Sequence, residues 1–222
     1  MSYRPNIKEI ENSYLCVMEN WQIIDDLLDR HKVGRKDTPF SKPLMDNLLS
    51  AWDYVDYLLK NQKHELLSRH GGPDMLEINH RVHYGEDYTL RDEYTKAIKA
   101  TTEKFSKQIP YIRKYYKKHM KARDSTYKVA AEVFIAIVGQ PQLFIEGNHR
   151  SGSIIASGIN MAYEKPPFVL TVENALTFFA PAQAIKKFNK RSRWRSLTKL
   201  PKYKDNFKKF WEIHCDMQFV RK

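Results

Sequence analysis

The sequence predicts an all-α fold, with one helical domain and further helices on both sides of it. Apolar residues recur at spacings of three and four from Ile7 to Leu28, which places them on one face of a long helix. A second stripe of this kind runs from Leu44 to Leu59. No segment has the alternation of apolar and polar residues that marks a half-buried strand. These three observations define the expected fold class.

The first half of the chain is predicted to form three helices. The first covers about residues 5–30 and is followed by a polar loop over residues 31–42. The second begins at Pro43 and ends near His70, just before a pair of glycines. A short third helix begins at Pro73, because proline suits the first helical turn.

The second half of the chain is also predicted to be helical, after a loop over residues 84–91. The sequence around Ser125 suits a helix N-cap, and Thr171 is expected to cap a later helix. A residue before proline avoids helical backbone, so the helix after Arg150 is expected to stop near Glu164. The predicted helices cover residues 92–107, a segment opened by Pro110, and residues 127–139, 150–164, 172–188 and 203–217.

Composition limits the class of protein. The longest apolar run ends at Val138 and is too short to cross a bilayer. Residues 1–5 lack the apolar core of a signal peptide. Cys16 and Cys215 are far apart and have no metal-ligand spacing, so we expect free thiols. Together these features predict a cytoplasmic protein with no membrane span.

Residues 142–153 carry an acid, a glycine, an amide and an arginine between two segments that have the pattern of core helices. A charged loop that opens a helix in this position is typical of a site that binds an anion. The stretch from Phe144 to Arg150, FIEGNHR, resembles the signature of the Fic (Fido) family, HPFx[D/E]GNGRxxR. Residues 130–134 resemble the apolar helix before that signature, and residues 163–168 are similar to the family's GYPP segment.

This resemblance, over about residues 75–187, implies an all-α domain that transfers AMP from ATP to a hydroxyl group of a target protein. It implies that Glu146 holds Mg²⁺ against the phosphates. The family's phosphate-binding positions fall at a helix start, where N–H groups and the helix dipole favour an anion. Those positions are Gly147, Asn148, His149 and Arg150.

The signature is degenerate at the positions that carry the family's chemistry. Gln142 stands at the place of the catalytic histidine, and glutamine cannot take a proton from the attacking hydroxyl. In a second register Gln140 and Pro141 fill that place, again with glutamine. Ser153 replaces the final arginine. The resemblance therefore implies that AMP transfer is weak, altered or absent.

His149 and Leu143 are two further departures. His149 replaces the second glycine of the signature and adds a side chain where the backbone approaches phosphate. It is a candidate for a displaced base or a phosphate contact, and the simpler interpretation is a solvent-facing residue at a helix start. Leu143 replaces the proline.

Two other elements of the family have weak counterparts. The inhibitory motif [S/T]xxxE[G/N] is nearest to residues 15–20, which makes Glu19 the candidate inhibitory residue. Glu19 lies off the apolar stripe and Ser153 offers it no arginine, so a solvated helix glutamate is the simpler interpretation. The flap that aligns the target protein is expected at residues 84–91.

The charge pattern supports an alternative function. The net charge is +12, and basic residues cluster from Lys186 to Lys209 and again over residues 104–123. The alternative is a non-catalytic interaction protein that binds nucleic acid or an acidic partner through these surfaces. Against it, several interleaved aromatic residues share one helical face, as core residues do: Phe207, Phe210 and Trp211.

The predicted organisation has three parts. Residues 1–70 form N-terminal helices that pack on a Fic-like core of residues 71–189. Residues 190–222 form a basic C-terminal extension that contains a helix.

Overall fold

The computed structural model describes residues 2–33, 39–61, 66–68, 70–121, 125–189 and 199–221. Within these ranges the protein is an all-α single domain, and extended backbone pairs only in isolated bridges. In the same ranges, none of the helices has the length and apolar character that a membrane span requires.

The described part of the chain contains ten α-helices. They are α1 (Ile7–Glu19), α2 (Trp21–Arg30), α3 (Lys42–Asn61), α4 (Gly72–Tyr84), α5 (Tyr88–Glu93), α6 (Thr95–Lys121), α7 (Thr126–Val138), α8 (Asn148–Ala162), α9 (Ala175–Lys186) and α10 (Leu200–His214). A short 3₁₀ helix, Met217–Phe219, follows α10.

The predicted helix over residues 5–30 is two helices, because the backbone turns at Asn20. Asn20 has φ −100° and ψ 15°, and its side-chain amide donates to Cys16 O at 2.9 Å. Asparagine competes in this way for backbone hydrogen bonds and is unfavourable inside helices. The buried stripe nevertheless continues from Val17 in α1 to Ile24 in α2.

The second predicted helix also ends earlier than expected. α3 stops at Asn61, whereas the sequence pattern placed its end near His70. Leu59 is the last buried residue of α3, so the packing that stabilises the helix ends there. Residues 66–68 and 70 form turns and a bend, and residues 62–65 lie outside the described part.

α6 runs unbroken through Pro110, which was predicted to open a separate helix. Pro110 is exposed, whereas Phe105, Ile109 and Ile112 are buried on the same helix. Proline inside a helix costs about 3 kcal/mol through a lost hydrogen bond and a steric clash. Burial of this apolar stripe against α4 and α7 offsets that cost.

Two predicted boundaries differ because local caps lie elsewhere. α5 occupies part of the predicted loop over residues 84–91, and Asp87 caps it by accepting a hydrogen bond from Leu90 N at 3.0 Å. α9 has Asn174 as its N-cap and so begins after the turn that Thr171 starts. Thr171 N donates to Asn174 Oδ1 at 2.9 Å, which closes that turn.

α7 and α8, on either side of the motif, agree closely with prediction. Ser125 caps α7 by accepting a hydrogen bond from Lys128 N at 3.4 Å. Every residue from Val129 to Val138 is buried, because α7 packs against α6, α8 and α10. α8 ends at Ala162, close to the expected stop near Glu164. The motif loop therefore joins two helices at the centre of the fold.

The segment before α1 pairs with the segment after α10. Arg221 N donates to Arg4 O at 2.8 Å, and Pro5 and Val220 form an antiparallel bridge. The Asp56 carboxylate on α3 accepts hydrogen bonds from both arginine side chains.

Candidate functional site

The loop between α7 and α8 ends in a residue with left-handed backbone. Gly147 has φ +70° and ψ 11° and is the N-cap of α8. A β-carbon at this position would overlap His83 Nε2 and lie 3.1 Å from Asn79 Nδ2. Both the backbone conformation and the close approach of α4 therefore require glycine here.

Asn148 fastens the loop from within the core. Its side chain is only 4% exposed, its Oδ1 accepts from Phe144 N at 2.9 Å, and its Nδ2 donates to Phe144 O at 3.1 Å. Lys104 Nζ donates to the same carbonyl at 2.8 Å. Both polar atoms of the Asn148 side chain are thus hydrogen-bonded to the loop, so the predicted phosphate contact falls to its backbone N–H.

α4 holds the same loop from its other side. Asn79 Nδ2 donates to Glu146 O at 3.1 Å and to Ser151 Oγ at 2.9 Å. Asn79 is itself 2% exposed. These bonds fix the peptide chain on both sides of Gly147, so the start of α8 is preorganised.

A cavity of about 480 Å³ lies beside the loop. Its size is that of a small-molecule site. The structure brings to this cavity every residue assigned to the site from the sequence except Glu19: Gln142, Glu146, Gly147, Asn148, His149 and Arg150.

Aromatic residues from distant segments complete the cavity lining. Trp21 begins α2, Phe40 precedes α3, and Phe179 lies on α9. The rings of Trp21 and Phe40 have centroids 5.9 Å apart. No motif spacing links these residues to the loop, so the sequence alone does not identify them as site residues.

The first turn of α8 brings backbone donors to the cavity. The first hydrogen bond within the helix runs from Ser151 N to Gly147 O at 2.8 Å. The amides of Asn148, His149 and Arg150 precede that bond, and all three residues line the cavity. Such a helix start carries a partial positive charge and suits an anion.

Glu146 is the one carboxylate among the described residues that line the cavity. Mg²⁺ is commonly bound by one or two carboxylates, with phosphate oxygens and water as its other ligands. Glu146 therefore fits a Mg²⁺ ion that enters together with phosphates. Across the described ranges there is no group of three or more His, Cys, Asp or Glu placed to hold a metal ion.

The two glutamines considered for the base position lie in different surroundings. Gln142 lines the cavity. Gln140 is exposed, and its side chain donates to Lys186 O at 3.4 Å. Gln142 is therefore the one placed to contact a bound ligand.

His149 and Ser153 also line the cavity. His149 is half-buried, with its ring 6.5 Å from that of Phe134, so it does not simply face solvent. Ser153 Oγ donates to Arg150 O at 2.9 Å and supplies no charge.

His83 supports the loop from behind Gly147. Burial lowers the pKa of its imidazole and the charge of Arg150 lowers it further, while the carbonyl and the charged side chain of Glu146 offset only part of this. The ring is therefore neutral at pH 7 and adds no charge behind the start of α8.

Neither the predicted inhibitory residue nor the predicted flap lines the cavity. Tyr84, the first flap residue, nevertheless lies close to Glu146, since burial and then the charge of Glu146 raise the pKa of the tyrosine. Glu19 is exposed at the end of α1 and does not line the cavity. Residues 84–91 form the end of α4, a turn and the start of α5.

The described part of the C-terminal basic cluster belongs largely to a core-packed helix. Lys204 Nζ lies 3.0 Å from the buried carboxylate of Glu132. Residues 190–198, which include Trp194, lie outside the described part. The core interpretation is confirmed for three aromatic residues of α10 that are at most 7% exposed: Phe207, Phe210 and Trp211.

No protein-family model, curated protein or solved structure matches this chain.

Proposed function

We propose that this chain is a divergent Fic-like protein that binds a nucleotide with Mg²⁺ and whose AMP-transfer activity is weak, altered or absent. One observation carries the proposal: the open start of α8, Glu146 and Arg150 all line one cavity. This combination suits phosphate oxygens accompanied by a hard cation.

Each group has its own task in this proposal. The α8 amides bind a phosphate group, and Arg150 binds an outer phosphate through two parallel hydrogen bonds. Glu146 holds Mg²⁺, which neutralises charge on the phosphates. Trp21 and Phe179 offer ring surfaces for the base.

Gln142 limits the chemistry that follows binding. Its amide can orient a hydroxyl group of a target protein through a hydrogen bond, but it cannot accept the proton. A general base contributes roughly 10²–10⁴ to a rate. AMP transfer by this chain is therefore slower by about that factor, unless His149 takes the proton.

We expect Arg150→Ala to weaken the binding of a non-hydrolysable ATP analogue at least about tenfold in the presence of Mg²⁺. The variant loses a charge-assisted bidentate contact, whose loss costs about 1.5–3 kcal/mol. Isothermal titration calorimetry with and without Mg²⁺ measures the effect.

Arg30→Ala is the matched control for this experiment. Arg30 is exposed at the end of α2 and does not line the cavity, so the same charge change there should leave affinity unaltered. If the unaltered protein binds no nucleotide at millimolar concentration, the proposed function is wrong.

The exposed face of α6 favours the alternative function, a non-catalytic protein that binds a polyanion. Glu103 is the one acidic residue of α6. Several lysines of α6 are exposed, and none of their ammonium groups forms an ion pair within the described part of the chain. They are Lys96, Lys99, Lys107, Lys114 and Lys117. Unpaired lysines along one rigid helix suit the phosphates of a nucleic acid.

If this alternative holds, duplex nucleic acid should bind, with an affinity that falls steeply from 50 to 200 mM salt, on the order of the losses seen for phosphate-binding proteins. Replacing Lys107, Lys114 and Lys117 with glutamine should then make the salt dependence shallower by up to about three charges. Gel-shift titrations at several salt concentrations measure this.

The control variant replaces three exposed lysines elsewhere: Lys8, Lys60 and Lys165. A salt-insensitive or absent shift contradicts the alternative.

A further inference from the structure

Lys186 brings a second cation to the cavity from outside the motif. It is the last residue of α9, its side chain is half-buried, and it lines the cavity with Arg150 and the start of α8. Within the described part of the chain its ammonium group forms no ion pair. A lysine that is partly desolvated and has no carboxylate partner is free to pair with an anionic ligand.

The cavity is electrically unbalanced without such a ligand. Arg150 and Lys186 each bring a full positive charge, and the start of α8 brings a partial one. The described residues of the lining include one opposing charge, on Glu146. An anion with more than one negative group would neutralise this excess.

The positions of the two cations suggest how such an anion is bound. Arg150 belongs to the first turn of α8, and its neighbour Ser153 supplies no charge where the Fic signature has its second arginine. Lys186 comes instead from α9. A ligand with two or more linked phosphate groups has one anionic group for each of these two cations.

We propose that Lys186 binds a second phosphate group of the ligand, and that the cavity selects di- and triphosphates over monophosphates. This inference rests on the proposed function, since it places the first phosphate group at the start of α8. The lysine acts as a point charge, so arginine should replace it in part.

The test uses inorganic anions as probes, so that the base has no influence. Calorimetric titrations of the full chain with orthophosphate, pyrophosphate and tripolyphosphate are compared among four proteins. These are the unaltered chain, Lys186→Met, Lys186→Arg and Lys187→Met. Lys187 is the matched control, because it is adjacent and exposed and does not line the cavity.

We expect Lys186→Met to weaken tripolyphosphate and pyrophosphate binding at least about tenfold and to leave orthophosphate binding within about twofold, since single charge-assisted contacts have about this strength. Lys186→Arg should retain most of the affinity, and Lys187→Met should match the unaltered chain. Equal thermal unfolding midpoints of the two methionine variants show that any loss is local.

The possible failures are distinguishable. If Arg150→Ala abolishes anion binding while Lys186→Met changes nothing, the inference is wrong and the proposed function stands. If Lys186→Met and Lys187→Met lose equal affinity for pyrophosphate and tripolyphosphate, the loss reflects the lower net charge of the protein, and the inference is wrong. If the unaltered chain binds none of the three anions, the inference is wrong, and the titration with the ATP analogue and Mg²⁺ decides the proposed function separately.

Discussion

Gly147→Ala should lower the free energy of unfolding by about 3 kcal/mol, the larger of the two main stability effects expected at the motif loop. An alanine held at the φ of +70° found here costs about 1–2 kcal/mol. Its β-carbon would also overlap His83 Nε2, and relief of such overpacking costs a further 1–3 kcal/mol or so. Urea denaturation followed by far-ultraviolet circular dichroism measures the change.

A double-variant cycle separates the two causes. In Gly147→Ala combined with His83→Ala the overlap is gone and the backbone strain remains, so the pair should show a favourable coupling of about 1 kcal/mol or more. Gly158→Ala is the matched control inside α8, where the new β-carbon would lie 3.3 Å from Leu66 Cδ1. Its gain in helix propensity offsets that tight contact. A Gly147→Ala protein as stable as the unaltered chain would contradict the assigned backbone conformation.

Asn148→Ala should destabilise the protein by about 2–3 kcal/mol. The change removes both hydrogen bonds to Phe144 and leaves Phe144 N–H buried without its partner, since Phe144 is 0% exposed. The desolvation of an unsatisfied buried donor accounts for about 1–3 kcal/mol. The same urea titration measures the loss, and hydrogen exchange of the Phe144 amide should accelerate with it.

Asn206→Ala serves as the control for this experiment. Asn206 is exposed on α10, where alanine should change stability by no more than about 0.5 kcal/mol. If Asn148→Ala instead left stability and amide exchange unchanged while abolishing anion binding, its side chain would serve the ligand rather than the loop.

Local signals in the sequence were enough to predict the central hairpin of the fold. Ser125 was the predicted cap of α7, and the resemblance placed Gly147 at the start of α8. Both signals act within a few residues of the boundary they set. The predicted positions of α7 and α8 are accurate for this reason.

Boundaries that depend on tertiary contacts were not predictable in this way. Pro110 lies inside α6 because the stripe around Ile109 and Ile112 packs on other helices. The break at Asn20 was missed for the opposite reason, since the apolar stripe continues across it and conceals the local turn.

The residues of the candidate site likewise fall into a group that the sequence predicts and a group that depends on tertiary packing. The motif residues from Gln142 to Arg150 were predicted from their order in the sequence, because they form one loop and one helix start. Trp21, Phe179 and Lys186 reach the cavity through packing of helices that are far apart in the chain. Only a three-dimensional arrangement reveals them.

The pairing of the first and last described segments has a consequence for folding order. On the ribosome, Arg4 and Pro5 emerge long before their partners Val220 and Arg221. The entropic cost of bringing the two segments together grows only with the logarithm of the number of residues between them, so the long separation adds little to it. The two segments nevertheless cannot pair before the second one has been synthesised. We therefore expect α1 to pack first on α3, which is nearer in the chain. The segment before α1 should pair with the segment after α10 only once α10 has packed.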